Sequence, residues 1–318
     1  MKAILYTQYG SPEVLQLKEV EKPLPKDHEI LLRVKATAVN SGDWRLRKAD
    51  PFAVRLAFGL MKPKRNILGS VFSGEVESVG KEVKRFKPGD QVFGHTDMRF
   101  GAYGEYLCMP ESGSVALKPG HLTHAEAAVI PFGGAAAYHF IKKAAIQPGQ
   151  KVLVYGASGA VGSAAMQLAR HFGAKVTAVC STANTELVRS LGADYVIDYT
   201  KEEVLANGES YDVIFDTVNK MPFSRSLKSL NKNGRLILSA AGLPEMLRGF
   251  WTSMTSSQKV LTGVIGHSAE DINFIKMLLE TGELKPVVDR TFPLEQMAEA
   301  HRYVEQGHKK GNVAVTLD

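Results

Sequence analysis

The sequence predicts an α/β protein in two parts: an antiparallel, partly barrel-like β domain, then a domain built on a doubly wound parallel sheet. Three observations carry that expectation. The chain has 318 residues, beyond the length at which one hydrophobic core ordinarily keeps growing. Near residue 125 its rhythm changes from short strand-like runs to strands alternating with helices. Between an apolar run and an amphipathic one stands a glycine-rich turn, Gly156-Ala157-Ser158-Gly159-Ala160-Val161-Gly162.

In the first part, Ile30-Leu31-Leu32-Arg33-Val34 is β-rich, and Gly74-Glu75-Val76-Glu77-Ser78-Val79 alternates with the period of a half-buried strand. Lys87-Pro88-Gly89-Asp90 makes a turn before Gln91-Val92-Phe93, and helical periodicity is scarce. In the second part, strands are expected to begin near Lys151, Ala174, Tyr195, Tyr211, Arg235 and Val260. The helix between the first two carries Val161, Ala164, Ala165, Leu168 and Phe172 on one face and stops at Gly173. Ser181 to Leu191 ends at Gly192 in the same way, and Pro222 suits the first turn of a third helix. Strands alternating with helices argue a parallel sheet with helices on both faces. A further helix runs from about Ala269 to Thr281, with Ser268 and Asp271 placed for a capping box. Val287 to Phe292, a helix from Pro293, and Asn312 to Leu317 are expected to return to the first sheet. The expected domains are therefore 1–124 with 287–318, and 125–286.

Composition excludes several classes. Hydrophobic residues make up 44% and charged residues 23%, as in folded proteins. The net charge of +6 suits an anionic ligand, but the basic residues are scattered. The run Lys62-Pro63-Lys64-Arg65 is too short to argue nucleic-acid binding. Two cysteines, Cys108 and Cys180, favour a reducing compartment over a disulfide framework, and each reads as a small core residue. Met1-Lys2-Ala3-Ile4-Leu5-Tyr6 does not read as a signal peptide, and no apolar run reaches the ~20 residues of a spanning helix. A soluble, cytoplasmic protein is expected.

The glycine turn carries the chemistry. Lys151-Val152-Leu153-Val154-Tyr155 is the strand before it, a helix follows, and a second strand comes at the right distance. Glycines serve where the backbone turns tightly, where it approaches a pyrophosphate, and where helix packs on strand. The helix N-terminus adds free N–H donors and partial positive charge. This is the Rossmann pattern of a dinucleotide site, in which Gly156, Ser158, Gly159, Ala160, Val161 and Gly162 meet the diphosphate. At the tip of the second strand an NAD site usually places an acid for the ribose 2′-hydroxyl. Here Val179-Cys180-Ser181-Thr182-Ala183-Asn184 offers none before Glu186 and no Lys or Arg either. Ser181, Thr182 and Asn184 suit a 2′-phosphate better, so NADPH is expected, with NADH the open alternative; Val218 joins the expected cofactor contacts.

A catalytic zinc needs about three Cys, His or carboxylate ligands, and a structural zinc of this kind needs four cysteines. Two isolated cysteines do not supply them. Among nine histidines, His121 and His124 flank Thr123, which with Glu126 forms a helix-start capping pattern, so exposed helix-entry residues are expected. His95, in Gly94-His95-Thr96-Asp97, is a surface turn or a site residue. No metal is expected.

These residues resemble the zinc-independent quinone oxidoreductase and 2-alkenal reductase branch of the medium-chain dehydrogenase/reductase superfamily. The resemblance runs through Asn40-Ser41-Gly42-Asp43 to Arg47, Leu68-Gly69, Gly74-Glu75-Val76 and Phe86-Lys87-Pro88-Gly89-Asp90-Gln91-Val92. It continues through Gly101-Ala102-Tyr103-Gly104-Glu105-Tyr106, Pro131, Gly134, Ala137-Tyr138, the glycine turn, Leu191-Gly192-Ala193-Asp194 and Val196-Ile197-Asp198-Tyr199. It implies a GroES-like β domain beside the Rossmann domain, an active site in the cleft between them, and a homodimer. Asn40 stands where zinc-dependent relatives place a cysteine ligand, and Ser70 where they place a histidine. In the metal-free branch the matching asparagine lines the substrate cleft, and the tyrosine matching Tyr199 lies near the 2′-phosphate. Three positions depart from the branch: Val71 for an acid, Arg45 for a tyrosine and Ala136 for a threonine.

Reducing a simple ketone gathers charge on one oxygen, which zinc relatives stabilise as a Lewis acid. Quinones and α,β-unsaturated carbonyls spread that charge, so one or two hydrogen bonds suffice, and positioning C4 of the nicotinamide becomes the main task. Asn40 is the expected catalytic residue, donating to the carbonyl oxygen or to the ribose, with water completing protonation. Trp44 is an aromatic wall of the substrate site or a core residue. Phe52 to Met61, with Phe58, and Met246 to Met254, with Trp251, shape the substrate pocket or serve as packing or a dimer surface. Other readings stay open: a nucleotide-binding sensor, structural protein or RNA binder without turnover, and an enoyl-thioester reductase.

Overall fold

A computed structural model describes residues 1–205, 208–263, 265–266 and 268–317. In chain order it begins with β1 (Lys2–Leu5), β2 (Gln16–Glu19), β3 (Glu29–Val39), α1 (Ser41–Lys48), α2 (Val54–Phe58), β4 (Val71–Val79), β5 (Gln91–His95), β6 (Tyr106–Pro110) and β7 (Val115–Leu117). Then α3 (His124–Ala144) leads to β8 (Lys151–Tyr155), α4 (Ala160–His171), β9 (Lys175–Cys180), α5 (Thr185–Ser190), β10 (Tyr195–Asp198) and β11 (Tyr211–Asp216). The chain continues through α6 (Phe223–Lys228), β12 (Leu230–Leu238), α7 (Leu243–Thr255) and β13 (Lys259–Leu261). It closes with α8 (Ala269–Glu280), β14 (Val288–Pro293), α9 (Met297–Glu305) and β15 (Asn312–Thr316).

Two compact units form. One holds Met1–Phe132, His267–Glu280 and Pro286–Asp318; the other holds Gly133–Gly266 and Thr281–Lys285. The division departs from the boundaries expected at 124/125 and 286/287. The first turns of α3 pack Val129 with Ala38, Val71 and Ala314, and α8 packs on β7, so both stay with the β-rich unit.

The spine of the β-rich unit is β3. One edge pairs with β4; the other pairs with β6 over Glu29–Arg33 and with β15 over Ala36–Val39, all antiparallel. The sheet order is β14-β15-β3-β4-β5-β7 with β6 on β3, so the C-terminal segment does complete the first sheet. Ile30, Leu31, Leu32, Val34, Ala36, Ala38 and Val39 are all buried, so both faces of this strand are covered. Phe72, Tyr103, Met109 and Val313 fill the core beside them.

The second unit is a parallel sheet of order β10-β9-β8-β11-β12-β13. Its strands start within a residue or so of the expected positions except β12, which begins at Leu230. The helices stop as the sequence predicts: Gly173 and Gly192 take φ of +80° and +99°, open to glycine without strain. Three helices were not expected. α1, α2 and α7 lie where the sequence gives no helical signal, because their apolar residues do not mark a buried face.

In the second unit α4 packs directly on the end of β8. A Cβ on Gly162 would lie 2.1 Å from the Gly156 carbonyl oxygen, and one on Gly133 would lie 2.4 Å from that of Ala160. Backbone therefore touches backbone, and the first turn of α4 can sit directly over the strand. Gly162→Ala is expected to destabilise the fold by about 3 kcal/mol, read as a fall in the guanidinium unfolding midpoint; an unchanged midpoint would show that the helix can retreat at no cost.

Candidate active site

The cradle forms at the C-terminal end of β8. Gly156 turns the chain with φ of +77°, and a Cβ there would meet Thr217 Oγ1 at 2.7 Å and Val218 Cγ1 at 2.9 Å. Gly159 is extended (φ −83°, ψ 177°) and α4 begins at the next residue. The Ser163 N–H reaches back to the Gly159 carbonyl at 2.9 Å. The N–H groups of Ala160, Val161 and Gly162 precede that bond and find no carbonyl within the helix. These donors, with the positive end of a 12-residue helix, make a site for an anion such as a diphosphate.

Asn184 ties the cradle to the tip of β9: its Nδ2 donates to Ser158 Oγ at 3.1 Å and to Ser181 Oγ at 3.2 Å. Thr182 Oγ1 donates to Asp198 Oδ2 at 2.5 Å and lies 3.0 Å from Thr200 Oγ1. Thr200 supplies Asp198 Oδ1 with its N–H at 3.0 Å and its hydroxyl at 2.7 Å. Those hydrogen bonds hold the Asp198 carboxyl down at about 2, so it is charged, with Lys201 Nζ at 3.6 Å. Tyr199 stacks on Tyr155, centroids 6.3 Å apart at 27°, beside a cavity of about 230 Å³ that Val204, Leu205, Met221 and Pro222 also line.

Every expected cofactor contact is thus gathered at one end of this sheet. Asp198 was missed as a partner of Thr182. It sits at the end of β10, 16 residues away, and only the sheet order brings the two strand tips side by side.

In the β-rich unit Asn40 is 3% exposed and stands just before α1, extended at φ −104°, ψ 166°. Its N–H donates to Asp43 Oδ2 at 2.9 Å, and its Nδ2 donates to Ser70 Oγ at 3.4 Å. Behind it runs a buried polar chain. Arg47, always a donor, gives its Nε–H to His301 Nδ1 at 3.3 Å, which puts the imidazole proton on Nε2. Nε2–H then donates to the Tyr103 hydroxyl at 3.1 Å. Burial, aided by the nearby Asp43 carboxyl, whose Oδ1 has no hydrogen-bond partner among the described residues, pushes the Tyr103 hydroxyl up. Arg47 itself is fully buried, paired with Glu305 at 2.7 Å and bonded to the Gly10 carbonyl.

Burial pushes Asp43 up to about 7 and, aided by the Arg47 charge, His301 down to about 3. Arg47 therefore carries the charge of this cluster together with Glu305, and its neighbours sit in forms that suit a dry interior.

The remaining expected residues fall apart. Trp44 is half-buried against the core of its unit, with the Arg45 guanidinium 5.4 Å from its ring. Phe58 turns inward onto Phe100, edge to face at 6.0 Å, while Phe52, Leu56, Leu60 and Met61 face solvent. Trp251 is 66% exposed on α7, a helix with an exposed apolar stripe. His95 is buried, its Nδ1 accepting the Asp97 N–H at 2.8 Å, and is no surface turn. Thr123 and Glu126 form the expected capping box, but His124 is half-buried and bonded to Ser73 at 2.8 Å, unlike exposed His121. Val71 is fully buried in an apolar cluster with Ala38, Val129 and Ala314, where an acid would lie unpaired.

The donors at the two positions that zinc relatives use are an amide and a hydroxyl bonded to each other, a poor set for zinc. Among the described residues no three His, Cys, Asp or Glu side chains come together to hold a metal ion.

A GroES-like sheet and a Rossmann-type sheet on one chain define the architecture of medium-chain dehydrogenases. Residues 26–120 match the alcohol dehydrogenase GroES-like domain and residues 191–315 match the zinc-binding dehydrogenase family. Over 328 aligned residues the chain is 35% identical to the 2-methylene-furan-3-one reductase of Solanum lycopersicum, covering 99% of this chain and 79% of that protein. It is 34% identical, with the same coverage, to a chloroplastic NADPH-dependent alkenal/one oxidoreductase of Arabidopsis thaliana. The quinone oxidoreductase structure from Coxiella burnetii superposes with a TM-score of 0.90 at 26% identity, covering 100% of this chain and 99% of that one. The chain belongs to the quinone and alkenal/one oxidoreductase branch of the medium-chain dehydrogenase/reductase superfamily.

The two buried titrating groups make a stability prediction with opposite signs. Unfolded His301 takes a proton below about pH 6.5 and the native one only near 3, so stability falls as pH falls through that window. Native Asp43 takes a proton from about pH 7 downward and the unfolded residue only near 3.8, so its contribution rises over that range. In Asp43→Asn the compensation is gone. Urea unfolding is expected to show its stability dropping with pH more steeply than wild type, by up to about 1.4 kcal/mol per pH unit; parallel curves would overturn the assignment.

Proposed function

We propose that this chain reduces a quinone or an α,β-unsaturated carbonyl compound with NADPH, without a metal ion. The observation that carries the reading is the buried Asn40 amide, paired only loosely with Ser70 at the positions where a metal would need charged ligands. NADPH supplies the hydride when bound. The chain's own residues bind, orient and donate. The free amides of Ala160, Val161 and Gly162 take the diphosphate, the Ser181 hydroxyl and the Tyr199 ring receive the 2′-phosphate end, and the cavity beside Tyr155 takes the adenine.

The Asn40 Nδ2–H donates to the acceptor's carbonyl oxygen, where negative charge collects as hydride arrives at the conjugated carbon. Water then delivers one proton, so each turnover consumes one NADPH and one proton and yields the saturated carbonyl or the hydroquinone. The relative from Arabidopsis thaliana is named as NADPH-dependent and acts on alkenals and alkenones, which supports both halves of the reading.

Two measurements test it. Asn40→Ala is expected to lower kcat/KM for enones about 100-fold with NADPH affinity retained; an unchanged rate removes Asn40 from the chemistry, and no turnover by wild type over a quinone and enone panel removes the function. Thr182→Asp places a second carboxylate at the 2′-phosphate end. Titration is expected to show NADPH binding at least about tenfold weaker, a cost of about 1.4 kcal/mol, with NADH binding little changed; equal losses for both would remove Thr182 from cofactor choice.

A further inference from the structure

Around α2 the chain makes a compact lobe. The Lys64 N–H bonds the Phe58 carbonyl at 2.8 Å, the Gly59 N–H bonds that of Arg55 at 2.9 Å, and Tyr9 OH holds the Gly59 carbonyl at 2.7 Å. Phe58 points in, and four large apolar side chains point out: Phe52 is 67% exposed, Leu56 75%, Leu60 60% and Met61 89%. A monomer has no reason to hold so many of them in one short lobe.

Charge says what covers them. From residue 44 to residue 74 the sequence has one acid, Asp50, against seven basic residues. Arg47 and Lys48 are committed to Glu305. The others stay free for an outside anion: Lys62, Lys64 and Arg65 are exposed directly beside Leu60 and Met61, with no acidic partner among the described residues. Arg55 lies over the Phe52 ring at 5.2 Å, its charge next to an apolar tip. α7 makes the contrast. It too exposes an apolar stripe, but Glu245 and Arg248 balance there, and nothing in its charge selects a partner.

Exposed apolar tips ringed by unpaired cations match a surface that is apolar inside and anionic at its face. We propose that the lobe over residues 52–65 docks on an anionic lipid bilayer, with Phe52, Leu56, Leu60 and Met61 entering the acyl boundary. Lys62, Lys64 and Arg65 meet the phosphate headgroups. No helix of the described residues is long and apolar enough to cross a membrane, so the attachment is peripheral and reversible. Each cation near such a surface adds about fivefold to partitioning, so the three together supply about 100-fold.

Cosedimentation of the full chain with phosphatidylcholine vesicles, with and without phosphatidylglycerol, tests this. Binding is expected only where phosphatidylglycerol is present, and it weakens as sodium chloride is raised. Joint replacement Lys62→Glu, Lys64→Glu and Arg65→Glu is expected to weaken it at least about 100-fold, while NADPH oxidation with a water-soluble quinone is unchanged. Leu56→Ser with Met61→Ser is expected to weaken it more than tenfold with the chain still folded by circular dichroism. Three results overturn the proposal: no sedimentation with either vesicle, binding indifferent to both variants, or inorganic phosphate displacing the protein better than chloride of equal ionic strength. So does a dimer, seen by light scattering, that Leu56→Ser with Met61→Ser dissociates while vesicle binding stays absent, because a second copy then covers the lobe.

Discussion

The touch of α4 on the end of β8 is the constraint from which the nucleotide-binding half follows. With Gly162 at the helix start and Gly156 at the strand end, no side chain separates the two backbones. The helix axis can then point its free amides at the space beyond the strand, and the positive end of α4 lands where a diphosphate must lie. Thr217 and Val218 close in on Gly156 from the end of β11, so a side chain at that turn would collide with them. Binding energy is thereby built into backbone donors that need no rearrangement to meet an anion.

In the β-rich unit a different rule operates: polar groups are buried and bonded to one another. Fixing Arg47 as a donor orients His301, which donates to the Tyr103 hydroxyl beside the Asp43 carboxyl. Asp43 in turn accepts the Asn40 N–H, so the residue expected to meet substrate stands on a buried support. Removing one member would strand a buried polar group, at a cost of about 1–3 kcal/mol. The same burial that fixes the geometry displaces Asp43 and His301 in opposite directions.

The parallel sheet was legible because its signals are local. A buried strand is a short apolar run, and each helix end carries a glycine that takes positive φ, as Gly173 and Gly192 do. The return of β14 and β15 to the first sheet was legible for the same reason. α1, α2 and α7 were not. Periodicity reports a helix only when an apolar face meets a core, and the stripe of α7 is exposed while α2 has no buried residue. His95 read as a turn residue because Gly94 and Asp97 flank it, yet β5 carries it into the interior.

By itself the sequence determined the two-part fold, the glycine-rich turn between β8 and α4, and the lack of an acid at the tip of β9. All of these depend on residues close together in the chain or on the type of residue at one position. Tertiary structure alone decided that Asp198 bonds Thr182, that Arg47 and His301, 254 residues apart, share a hydrogen bond, and that the apolar residues around α2 face outward beside unpaired cations. The reason is physical: such pairings depend on which strand lies beside which and on what is left to cover a side chain, and neither is encoded within a few neighbouring residues.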